Sequence, residues 1–84
     1  MLILSVISLD LSYNNLSAVT SFKHMFFRTV ETLNLDNTGL KTISGISDVI
    51  NLKVLYLRNN GIENFEALKY LKNISTVYLE NNAS

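Results

Sequence analysis

The phrase LKVLYLRNNGI at 52–62 decides the reading of this chain, because it is written three more times: VISLDLSYNNL at 6–16, VETLNLDNTGL at 30–40 and ISTVYLENNAS at 74–84. The first, fourth and sixth places are apolar in every copy, the eleventh is apolar in all but the last, where Ser84 stands, and the ninth holds Asn14, Thr38, Asn60 or Asn82. The central residues Leu9, Leu33, Leu55 and Val77 are separated by steps of 24, 22 and 22 residues. A period in this range means a stacked solenoid, since one such unit cannot bury its apolar face alone.

Within each copy the apolar and polar residues alternate as in a strand, so Leu9 and Leu11, Leu33 and Leu35, Leu55 and Leu57, and Val77 and Leu79 are expected to point inward. Between copies the apolar residues recur every third place: Leu40, Ile43, Ile46, Val49 and Leu52, then Ile62, Phe65, Leu68, Leu71 and Ile74. A period of three suits a 3₁₀ or short helical return path, whose i and i+3 side chains face one way. The fold class expected is therefore α/β: a solenoid with a short parallel sheet on its concave face and 3₁₀ or short helical returns on its convex face. The whole chain, 1–84, reads as a single array of about three and a half to four coils with no cap at either end.

At the ninth place the chain turns away from the strand and leaves main-chain groups without ladder partners. A buried Asn amide both donates and accepts, so Asn14, Thr38, Asn60 and Asn82 are expected to form a structural seam. Thr38 lacks the amide, which makes the second coil its weakest point. Gly39 and Gly61 at the tenth place suggest turns with positive φ. The first return is two residues longer, and Met25, Phe26, Phe27 and Val30 crowd it enough for a short helix. Two readings of that crowding stand: a thicker coil, or an exposed apolar patch around Phe26 and Phe27 that docks a partner.

The chain has 84 residues, 48% hydrophobic and 17% charged, with 7 basic and 7 acidic side chains. No net field draws nucleic acid or an anionic membrane from a distance. There is no Cys, so neither a disulfide framework nor a thiolate nucleophile or zinc site is available. His24 is the only His, the three Gly residues are scattered, and the carboxylates stand singly, so no catalytic, metal or cofactor site is expected. The run MLILSVISL lacks a basic leading segment and is interrupted by Asp10, and reads as the start of the first coil, with Ile3 and Val6 in its apolar ladder. No stretch approaches the roughly 20 apolar residues that span a bilayer, so membrane insertion is not expected. Sequons fall at Asn15, Asn73 and Asn82, where glycans are not expected, partly because Asn82 belongs to the seam.

Equivalent outward residues of adjacent strands are neighbours on the sheet. One column reads Asp10, Asn34, Tyr56, Tyr78, flanked by Ser8, Thr32, Val54, Thr76 and by Ser12, Asp36, Arg58, Glu80. Tyr and Arg combine contact area with a polar tip, which makes Val54, Tyr56, Arg58, Tyr78 and Glu80 the candidate partner-binding patch, with Tyr13, Asn37, Asn59 and Asn81 as its rim. The competing reading is a tyrosine pair beside a solvated charge ladder of Asp36, Arg58 and Glu80. Glu31 beside Lys53 reads as a surface ion pair.

The repeated L-x-x-L-x-L-x-x-N-x-L pattern, at 22-residue spacing, resembles the short leucine-rich repeats of the protein phosphatase 1 regulatory subunit, and is similar to internalin-type repeats. The resemblance implies a noncatalytic intracellular module, cytoplasmic or nuclear, that holds a protein partner on its concave face as a regulatory or scaffold subunit. The alternatives are an extracellular internalin-like recognition or adhesion module and the interaction part of a larger enzyme. Self-association through the ends is a further expectation.

Overall fold

The computed structural model describes residues 6–25 and 27–83. The expectations for Ile3, Phe26 and Ser84 lie outside them. Four three-residue strands, β1 (Ser8–Asp10), β2 (Thr32–Asn34), β3 (Val54–Tyr56) and β4 (Thr76–Tyr78), form one parallel sheet in chain order. The register aligns Leu9, Leu33, Leu55 and Val77, so each coil is laid on the last without slippage. Short 3₁₀ helices, Ile46–Asp48 and Glu66–Tyr70, carry the second and third returns.

Alternation and the period of three meet in one apolar column between sheet and returns. Leu33, Leu35, Leu40, Ile46, Val49, Leu52, Leu55, Leu57 and Ile62 are completely buried, with Phe22, Val30, Ile43 and Leu71 nearly so. The two middle coils thus contain the core. Towards the ends the same places lose cover: Leu9, Leu11, Ile74 and Val77 are only partly buried, Val6 is 44% exposed and Leu79 37%.

The seam at the ninth place follows from this stacking. The Asn60 amide donates to the carbonyls of Leu35 (2.9 Å) and Leu57 (3.0 Å), bridging two coils, while its Oδ1 accepts from the main-chain N–H of Thr38 (2.9 Å) and Leu40 (3.3 Å) and from the Thr38 hydroxyl (3.1 Å). Asn82 repeats the pattern one coil on, donating to Leu57 and Leu79 and accepting from Ile62 N–H. Asn14 departs from the expected buried seam. It is exposed, and its amide donates only to Leu11 and Ser12 of its own coil. Thr38 bonds Leu35 O instead of reaching back to the first coil, and a main-chain bond, Leu16 N–H to Thr38 O (2.7 Å), closes that step.

Two further expectations are corrected. The first return contains no helix among the described residues; it runs through turns, and His24 adopts φ 65°, which no right-handed helix contains. Its Phe22 is buried, while Met25 and Phe27 are half-buried. Gly39 does have a positive φ (73°), but Gly61 does not; the left-handed place is the eighth of every copy, Tyr13, Asn37, Asn59 and Asn81, with φ between 57° and 60°. Asn tolerates that conformation better than other side chains with a Cβ. Tyr13→Asn is therefore expected to stabilise the chain by about 0.5–1 kcal/mol, read as a shift of the urea midpoint at unchanged slope.

Gly45, which the periodicity does not mark, ties the first coil to the second. Its φ is 80°, and a Cβ there would lie 2.5 Å from Lys23 N. The close approach goes with hydrogen bonds from Phe22 N–H to Ser44 O (2.7 Å) and from His24 N–H to Asp48 Oδ2 (2.9 Å).

Candidate functional site

The outward side chains of the four strands form a polar face with an aromatic half. Tyr56 and Tyr78 are register partners on β3 and β4, and their rings stack at 4.5 Å between centroids with 10° between planes. Strand spacing of about 4.8 Å dictates this separation once both rings stand perpendicular to the sheet. Val54, paired with Thr76, is half-buried beside them.

Arg58 follows β3 and lies beside the stack, its guanidinium carbon 5.4 Å from the Tyr56 centroid and 5.3 Å from that of Tyr78. Near-equal distances place it alongside both rings, not on an outer ring face. Its Nε (3.0 Å) and Nη2 (2.8 Å) both donate to Asp36 Oδ2, and its main-chain N–H donates to Asp36 Oδ1 at 2.7 Å. The Asp36 hydrogen bonds, foremost, raise the Arg58 pKa above its ordinary value, outweighing desolvation. Glu80 is more distant, 3.7 Å from Arg58 Nε, and exposed.

Asp36 corrects the reading of a solvated charge ladder, being only 5% exposed. Its position has a local cause. In the first two coils the fifth-place residue caps the seventh-place N–H of its own strand: Asp10 accepts from Ser12 and Asn34 from Asp36, each at 2.9 Å. Tyr56 has no short acceptor to offer Arg58, so Asp36 reaches across from the neighbouring coil. An acid one coil before an Arg that follows an aromatic fifth place is the signal that would have marked Asp36 as a member of the patch.

Asp10 also accepts from the Ser12 hydroxyl at 2.6 Å, and the side-chain and main-chain bonds from Ser12 hold its pKa below the ordinary carboxylate value. The folded state thus binds this proton less readily than the unfolded chain. The resulting stabilisation is present above the unfolded value of about 3.9 and is lost as pH falls through the lower folded one. Ser12→Ala is expected to move the Asp10 midpoint up towards that ordinary value, checked by carboxyl NMR during an acid titration.

The rim residues Asn37, Asn59 and Asn81 border a groove of about 450 Å³ with Ser12, Asn34 and Asp36. Asn81 Nδ2 donates to Asn59 Oδ1 at 2.9 Å, continuing the ladder along the rim. Glu31 and Lys53 pair at 3.2 Å, both substantially exposed, a geometry worth little to stability.

Among the described residues no group of three or more His, Cys, Asp or Glu is placed to hold a metal ion, and no helix is long and apolar enough to cross a membrane. The amide nitrogens of Asn73 and Asn82, two of the sequon positions, are engaged as hydrogen-bond donors.

A family model described as Leucine Rich repeats (2 copies) matches residues 28–70 and 50–84, and one described as Leucine Rich Repeat matches residues 5–25. Comparison with curated proteins and with solved structures gave no match.

Proposed function

Because the chain belongs to the leucine-rich-repeat family, whose repeats generally mediate protein–protein interaction, we propose that it is a noncatalytic module presenting its concave sheet face to a protein partner as a regulatory or scaffold element. The contact patch is Val54, Tyr56, Arg58, Tyr78 and Glu80. The observation that carries this reading is the tyrosine stack fixed beside an Arg that is itself held by buried Asp36. Large side chains already ordered in the free protein lose little entropy on binding, which is what an anchor requires.

An intracellular setting, cytoplasmic or nuclear, goes with this reading through the resemblance to short intracellular repeats, and a chain without Cys is compatible with it. The partly uncovered Leu79 and Val6 support self-association through the terminal coils as a second contact mode.

A photo-crosslinker replacing Thr76 on the sheet face, compared with one replacing Ser47 in the second return, tests the reading in extracts. The expected result is a discrete adduct from the first site alone. Adducts only from the second would overturn it.

A further inference from the structure

We propose that the segment held by the sheet face is basic: an extended stretch of a partner chain carrying Arg or Lys side chains. This rests on the interaction reading above and names its partner class. The zero net charge conceals two faces of opposite sign. The strand side carries Asp10, Glu31, Asp36 and Glu80 against Lys53 and Arg58 only. The returns carry Lys23, Arg28, Lys41, Lys69 and Lys72 against Asp48, Glu63 and Glu66.

Both strand-side cations are already matched, Lys53 by Glu31 and Arg58 by Asp36. The surplus falls on two exposed acids at opposite ends of the face. Asp10 on β1 is bonded only by Ser12, and Glu80 after β4 only approaches Arg58. Their separation makes them two anchor points on one face. Four strands at about 4.8 Å spacing cover about 14 Å, the reach of four or five extended residues.

The surface between the anchors suits such a segment. Asn34, Asn37, Asn59 and Asn81 line the groove with carboxamides that match main-chain donors and acceptors. With Arg58 alongside the tyrosine stack and Tyr56 on one face of Tyr78, the ring face of Tyr78 turned away from β3 offers a platform for a cation beside Glu80. An acidic segment would instead meet uncompensated like charge, which penalises wrong partners.

The test is a titration of the ¹⁵N-labelled chain with hexa-arginine, with hexa-glutamate and a neutral Gly-Ser hexapeptide as comparisons. Hexa-arginine is expected to give saturable shifts at Asp10, Asn34, Tyr78 and Glu80, screened by added salt. The pair Asp10→Asn and Glu80→Gln, both exposed substitutions, is expected to weaken binding about five- to tenfold. Shifts confined to the returns overturn the proposal, as does hexa-glutamate moving the sheet face equally well. In the latter case the sheet face still binds and only the partner class fails, which separates this result from a failed crosslink at Thr76.

Discussion

Asn60→Ala is expected to cost about 3–5 kcal/mol, a large share of a whole stability of the order of 5–15 kcal/mol. The carboxamide of Asn60 serves the carbonyls of Leu35 and Leu57 and the N–H groups of Thr38 and Leu40. All four lie where the strands turn away from the sheet, and Leu35, Leu57, Leu40 and Thr38 are themselves buried. Truncation leaves those main-chain groups without partners in an environment that water reaches poorly. Asn14→Ala supplies the internal comparison: its amide meets only its own exposed coil, and a cost below about 1 kcal/mol is expected. Urea unfolding followed by circular dichroism measures both. Equal losses from the two substitutions would show that the inter-coil bonds of Asn60 contribute nothing beyond a local turn.

The second large effect is expected at Asp36. Asp36→Ala removes the acceptor of Arg58 N–H and of its guanidinium at once. The Arg58 side chain is 39% exposed, so solvent screens part of the loss, and about 1–2 kcal/mol of stability is expected to go. Arg58→Ala should cost a similar amount for a different reason, since it leaves a nearly buried carboxylate with one main-chain donor. The double substitution should then cost less than the two single losses added together. Strict additivity would mean that the pair is not coupled. Both single changes should also show at the surface, because in either variant the tyrosine stack loses the guanidinium that Asp36 holds beside it.

Much of this arrangement was legible because a solenoid repeats its own evidence. Leu9, Leu33, Leu55 and Val77 could be aligned without a structure, and that alignment is the observed sheet register. It follows that Tyr56 and Tyr78 would be neighbours, since residues in one column of a parallel sheet have no other place to go. Single-residue backbone geometry was less visible. Positive φ sits at Tyr13, Asn37, Asn59 and Asn81 instead of Gly61, because the turn after the strand is shaped by the seam bonds rather than by the tenth-place residue. Gly45 was missed because its need for a missing Cβ comes from Lys23 in another coil, a contact that no local pattern encodes. The burial of Asp36 has the same origin: its role arises from an unfilled cap one coil away.

The first return illustrates the opposite error. Its apolar density around Met25 and Phe27 suggested a helix, yet composition alone does not supply helical hydrogen bonds. The described segment instead closes through isolated turns, Val19 N–H to Leu16 O, Met25 N–H to Phe22 O and Val30 N–H to Phe27 O. Spacing by three continues across these turns, which is why the apolar ladder is kept although the helix is not.

The measurement that bears most directly on the function is the affinity of a crosslinked partner for three proteins: the unaltered chain, Tyr56→Ala with Tyr78→Ala, and Tyr70→Ala. Tyr70 is 61% exposed on the third return and controls for the loss of an aromatic ring elsewhere. If the tyrosine stack anchors the partner, the double substitution weakens binding by about 2 kcal/mol or more, roughly thirtyfold, while Tyr70→Ala leaves it unchanged. Unaltered affinity in the double variant, or a loss confined to Tyr70→Ala, would contradict the assignment of the sheet face as the contact surface.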